Sequence, residues 1–286
     1  MTGGPRAMLL AETGRLHMQH GPIDIIAQAF GAEREVWAAY RQAVDRFQDI
    51  LETLVGELDV LRSPIGAAPP VLHGPVARRM AAAVWAHRRE FITPMAAVAG
   101  AVADDVLATL TAGRALSKAY VNNGGDIAFH LAPGQALDAG LVADLDAPAR
   151  DALIHLPHHA PVRGLATSGW RGRSLSLGIA DSVTVLAATA AGSDAAATLI
   201  ANAVTVDHPG IERVAADQLR DDTDLGARPV TARVARLPAP AIGQALDSGA
   251  RAAEDMSRRG LIGGACLILQ GSVRVVPAAD SPRLVG

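Results

Sequence analysis

The stretch AAGSDAAATLIANAV, residues 190–204, places one acid, Asp194, and one hydroxyl, Thr198, in a run dominated by alanine. On a helix these two positions, i and i+4, share one face about a turn apart. One explanation is local: Ser193 or Asp194 caps the helix, and the Thr198 hydroxyl bonds back to the carbonyl of residue 194. The other is chemical. A carboxylate and a hydroxyl are hard oxygens that suit a magnesium ion, which keeps several waters and meets substrate phosphates. The alanines between them leave space for a ligand. Spacing alone keeps both explanations open.

Outward from this helix, helices and strands mix without a regular βαβ alternation, which predicts an α+β fold. The N-terminal RLHMQHGPIDIIAQAFG reads as strand and turn. Residues 33–61 carry Trp37, Tyr40, Val44, Phe47, Leu51, Leu54 and Leu58 at steps of three and four, predicting a helix with one apolar face. A second helix is expected from Pro75 to about residue 89. In TPMAAVAGAVADDVLATL, Thr93 reads as an N-cap and Pro94 as the first helical residue. KAYV, DIAFHL, VRGLAT and SVTVLAA read as strands. A polar segment, 207–229, precedes strand VTARVARL, a helix over 241–259, and strands ACLILQ and VRVVP.

Half of the 286 residues are hydrophobic and only 3% aromatic, so the core must be built from Ala, Val, Leu and Ile. The net charge of −3 gives no bulk attraction to nucleic acid or to an anionic membrane. Cys266 is the only cysteine, which excludes an intrachain disulfide and a multi-cysteine metal site. AMLL is too short for a secretory core, and residues 95–103 fall short of the roughly 18 a membrane helix needs. The expectation is a soluble, cytoplasmic protein. His158 and His159 lack the helical spacing of a zinc site, and no GxSxG, Walker A or GxGxxG sequence is present.

Two further segments can carry chemistry. VNNGGDIAFHL sets Asn122, Asn123, Gly124, Gly125 and Asp126 between two strands. Asn-Gly and Gly-Gly signal a tight hairpin, but the turn itself does not need Asp126. RGLATSGWRGRSLSLGIAD ends a strand at Thr167, Ser168 and Gly169, then crowds Trp170, Arg171 and Arg173 into a glycine-rich loop ahead of Asp181. Hydroxyls, free amides and forked guanidinium groups make a phosphate cradle, with Trp170 free to stack on a planar ring; a solvated arginine loop is the alternative.

In this order, PMAAVAGAVAD, VNNGGDI, ATSG and SVTVLAATAAGSDAAAT resemble the ApbE superfamily, typically FAD:protein FMN transferases, and more closely an uncharacterised, shorter branch of it. The resemblance implies one ApbE-like domain over 1–286, with a mixed or antiparallel sheet packed by helices rich in small residues. The N-terminal helical segment, about 33–110, would pack on the C-terminal α+β part. It also implies magnesium or another divalent cation held by Asp194, Thr198 and a backbone carbonyl near Val98, with Ala97 as the neighbouring choice. An FAD or FMN pocket would be lined by Asn122, Asn123, Gly124, Gly125, Thr167, Ser168 and Gly169, beside Trp170 and Arg171.

There are departures. The transferases' lysine is Ala99 here, and their His-x-x-Asp-Pro-x-Thr-Gly segment has no counterpart, Arg173 standing near the histidine's place. The implied activity is transfer of a phosphoryl-linked group from a nucleotide-like small molecule, with Asp126, Arg173 and Asp181 as the catalytic set. The alternatives are a non-catalytic flavin- or pterin-binding module, or a part in making a one-carbon carrier cofactor. The small-residue faces can pack within one chain or across the two-fold axis of a homodimer.

Overall fold

The computed structural model describes residues 3–141, 152–277 and 284–285. A nine-stranded sheet runs in the order β1 (Arg6–Leu10), β2 (Arg15–His20), β3 (Ile23–Gly31), β4 (Leu116–Asn123), β5 (Asp126–Leu131), β8 (Gly164–Ser168), β9 (Ser182–Ala187), β12 (Gly264–Leu269) and β13 (Ser272–Pro277). Each neighbouring pair is antiparallel. Side chains alternate between the two faces of a strand, and the central strands use both. In β12, Ala265, Leu267 and Leu269 join the main core, while Cys266 and Ile268 join a smaller cluster on the opposite face. A second sheet, β6 (Ala136–Leu141), β7 (Ala152–Pro157) and β14 (Leu284–Val285), closes that smaller cluster with Ile154 and Leu156 against Phe129 and Leu131.

Helices cover the main face: α1 (Glu33–Phe47), α4 (Pro75–Trp85), α5 (Val98–Thr111), α6 (Ala190–Ala203) and α8 (Ala239–Arg258). The α+β expectation holds. The helix expected over 33–61 is instead three pieces, α1, α2 (Ile50–Gly56) and α3 (Leu58–Leu61). The break at Glu57 carries its carboxylate to the amides of His73 and Gly74, at 2.6 and 2.9 Å, where α4 begins. Of the expected apolar face, Tyr40, Phe47 and Leu54 are buried, whereas Trp37 is exposed and donates to Glu33. The hairpin β6–β7 and β10 (Ile211–Ala215) add strands that the sequence pattern did not reveal, whereas β11 (Pro229–Val234), the partner of β10, is the strand expected at VTARVARL.

Thr93 does not cap a helix. It precedes a 3-10 turn, Pro94–Ala97, and its buried hydroxyl donates to Asp224. Contrary to the reading of residues 95–103, the stretch Pro94–Thr111 is long and apolar enough to cross a membrane by length and composition alone. It is 56% buried within the fold, and its apolarity serves a helix at the centre of the core. Two acids stand in it. Asp105 is neutralised by Arg46 at 2.7 Å and Arg79 at 3.4 Å, bracing α1 and α4 onto α5. Asp104 turns to α6 and accepts the amides of Ala190 and Ala191 at 3.0 and 2.9 Å.

The α5–α6 crossing is closed by Gly100. A Cβ built there would lie 2.3 Å from the carbonyl oxygen of Ala190, well inside contact distance and against backbone that has little room to yield. Gly100→Ala should therefore destabilise the protein by about 2–3 kcal/mol or more, as overpacking of a tight core does. Urea denaturation of the two proteins checks this, and an unchanged midpoint would show that the helices can separate freely.

Candidate functional site

Helix α6 is capped without Asp194. The Thr189 hydroxyl accepts from the Gly192 amide at 3.0 Å, and Asp104 serves the two amides before it. This overturns the local explanation of Ser193 and Asp194 as caps of their own helix. Ser193 is buried and donates back to the Thr189 carbonyl. Asp194 reaches across instead, its Oδ2 accepting from the Gly100 amide at 3.0 Å in the first turn of α5. Two helices thus exchange carboxylates at their positive ends.

Asp126 meets Asp194 at this point. It opens β5 opposite Asn123, is buried, and accepts from the Thr167 amide at 3.3 Å. The two carboxyl groups lie within hydrogen-bonding reach of each other, so one proton can bridge them. Burial, more than any other cause, raises the Asp126 carboxyl to about 7, against the Thr167 amide, Asp194 and the Arg173 charge, which pull it down. Burial and then the charge of Asp126 raise Asp194 well above the usual carboxylate range, although Gly100 and Ala99 donate to it. Asp194 still keeps partial access to solvent.

The remaining residues divide into those at this pair and those engaged elsewhere. Gly124 and Gly125 form the exposed β4–β5 turn with φ of 65° and 114°, a backbone that residues with side chains rarely adopt. Asn122 closes the turn by accepting from the Gly125 amide at 2.8 Å. Asn123 is buried and donates to the Ala99 carbonyl at 3.1 Å, which holds the start of α5 against β4. The Arg173 guanidinium lies on the bare face of Gly124, with Nη2 2.2 Å from where a Cβ would stand. Thr167 pairs hydroxyls with Thr184 at 2.8 Å, and Ser168 is half-buried beside it.

The Thr198 hydroxyl makes no hydrogen bond among the described residues, so it does not bond back to residue 194. At Val98, α5 begins, and the groups presented to Asp194 there are amides of the next two residues. Asp181 sits apart from the pair in its bonding. Its carboxylate receives Trp170 Nε1 at 3.2 Å and the Gln270 amide at 2.5 Å, clamping the Trp170 loop to β12–β13. Gly169 is buried against the Asp181 backbone, and Arg171 lies 6.0 Å from the Trp170 ring centre. The sequence reading missed Asp104, Thr184 and Arg220, whose Nη2 donates to the Arg173 carbonyl at 2.5 Å. The adjacent acids in an otherwise apolar helix were the one available signal for Asp104.

A divalent cation suits this donor set. Two adjoining carboxyl groups, one buried and one half-buried, with a hydroxyl one turn along α6, are hard oxygens whose mutual repulsion a cation would relieve. Among the described residues there is no cluster of three His, Cys, Asp or Glu side chains that could hold a metal. An open cavity of about 630 Å³ lies elsewhere, lined by Arg236, Leu237, Ala239, Ile242 and Gln270 at the start of α8.

The chain belongs to the family described as "AbpE bacteria", which matches residues 6–275. It is 39% identical over 142 residues to a "UPF0280 protein" of Methanosphaerula palustris, covering 49% of this chain and 56% of that one. The chain thus spans about half the length of the curated relatives it matches. The apo flavinyl transferase ApbE of Pseudomonas stutzeri is similar with a TM-score of 0.46 and 12% identity, over 98% of this chain and 96% of that one. Flavin transferase ApbE from Vibrio cholerae gives a TM-score of 0.45 and 11% identity, over 98% of each chain.

The raised carboxyls fix a pH signature. A carboxyl lifted in the fold binds its proton more tightly than in the unfolded chain, so metal-free stability falls as pH rises from about 4 through about 7. Asp126→Asn removes that loss and should be about 1–3 kcal/mol less pH-sensitive over this window. Urea midpoints in EDTA at pH 5 and pH 8 read it, and equal slopes in both proteins would contradict the shared-proton pair.

Proposed function

We propose that the protein binds a flavin-like or other diphosphate-bearing nucleotide together with a divalent cation, and transfers a phosphoryl-linked group from it. The observation that carries this reading is the Asp126–Asp194 pair, two acids in contact, one buried and one half-buried, with Thr198 one turn along α6 and the Arg173 charge acting on Asp126. Asp126, Asp194 and Thr198 would hold the cation, with the backbone carbonyl at Val98 as a further donor. When bound, the cation supplies charge neutralisation on the phosphate oxygens.

The chain's own residues divide the remaining work. The Gly124–Gly125 turn carries no side chains of its own, which leaves its face to the Arg173 guanidinium and to a phosphate drawn to it. Thr167 and Ser168 line the same edge of β8. Arg173 faces the negative charge that builds on the transferred group. In transfer, an acceptor hydroxyl oxygen bonds to phosphorus, the bridging P–O bond of the diphosphate breaks, and the leaving phosphate keeps the electron pair. Asp126 takes the hydroxyl proton. Asp181, with its carboxylate committed to Trp170 and Gln270, positions the loop that carries Arg173.

Titration calorimetry with FAD, in magnesium and in EDTA, tests the binding half. Affinity should fall at least tenfold in EDTA, and Asp194→Asn should weaken it by about 1–3 kcal/mol in magnesium, the worth of a lost charge-assisted contact. Equal affinity in EDTA and magnesium would remove the cation from the reading. Chromatography of the incubated mixture tests the transfer half: release of AMP from FAD supports turnover. FAD recovered intact in the presence of candidate hydroxyl acceptors would leave a flavin-binding module, a reading that Ala99 in the place of the transferases' lysine favours.

A further inference from the structure

We infer that Arg173 is the counter-charge of the acid pair in the ligand-free protein and the phosphate-binding group of the loaded one, so that cation and phosphate-bearing ligand enter together. This role presupposes the cation site proposed above. Its basis is geometric. The guanidinium rests on Gly124, where any side chain would displace it, and its charge acts on Asp126 from there. Among the described residues no hydrogen bond or ion pair holds its nitrogens. The backbone beneath it is fixed instead, by Arg220 Nη2 donating to the Arg173 carbonyl at 2.5 Å. Arg173 is therefore an exposed side chain on a tethered loop, with its forked donors available to an anion. Arg171 differs, since it lies over the Trp170 ring.

The consequence is a coupling. A cation arriving alone meets the positive charge that Arg173, resting on Gly124, exerts on Asp126. A diphosphate draws the guanidinium onto its own oxygens, which frees the acid pair and adds ligands of its own. Each partner then tightens the other by the same factor, as linkage requires. Because Arg173 is exposed, the repulsion is screened and its effect modest.

The test uses Mn²⁺ as the cation and inorganic pyrophosphate as the anion. Free Mn²⁺, buffered against its own complex with pyrophosphate, is followed by electron paramagnetic resonance in the wild type, Arg173→Ala and Arg173→Gln. Both variants should bind Mn²⁺ alone roughly threefold to tenfold more tightly than the wild type, by removal of a screened like charge. Pyrophosphate should tighten Mn²⁺ binding to the wild type and do so much less in the variants. Equal Mn²⁺ affinities in wild type and variants, all folded by thermal melt, would overturn the role of Arg173 alone. Binding of Mn²⁺ that Asp194→Asn leaves unchanged, or no binding at all, would overturn the cation site and this role with it.

Discussion

The exchange of carboxylates between α5 and α6 is the constraint on which the rest depends. Asp104 of α5 takes two amides at the head of α6, and Asp194 of α6 takes an amide at the head of α5. Each helix N-terminus carries unpaired N–H groups and a partial positive charge, so an acid from the neighbour satisfies both. The exchange requires the two heads to lie almost in backbone contact. Gly100 permits that, and the alanines on both sides extend the approach along the helices.

Once the heads are locked, the position of Asp194 is set to within a hydrogen bond. The β4–β5 turn then delivers Asp126 against it, because Asn123 ties β4 to the Ala99 carbonyl on the same helix head. Two acids meet there, with the exposed Arg173 acting on one of them by its charge. Their protons are held far more tightly than those of free carboxyls, and burial is the largest cause for both. An acid that only caps a helix does not need a second acid beside it.

Legibility differed between levels for a physical reason. Strand alternation and the apolar stripes of the helices are local, so KAYV, DIAFHL, SVTVLAA and ACLILQ all emerged as strands near their observed places. The breaks were not local. Glu57 interrupts the long N-terminal helix to serve α4, and Thr93 leaves its expected capping role for Asp224, partners distant in sequence. At the site, the types of residue were legible and their duties only in part. Asn122 and Asp181 carried the right chemistry for ligand contacts, yet the fold engages them in a turn and a loop clamp.

By itself the sequence determined the α+β class, the small-residue core and the motif order that places the chain in its family, since each rests on composition and short-range pattern. Tertiary structure alone decided which helix Asp194 caps, that Asp126 meets Asp194, and that Arg173 lies over Gly124. Those are facts about groups 49 to 94 residues apart, on separate strands, helices and loops. No local pattern encodes such distances, because they arise only when two helix heads close to backbone contact and the sheet edge is drawn in behind them.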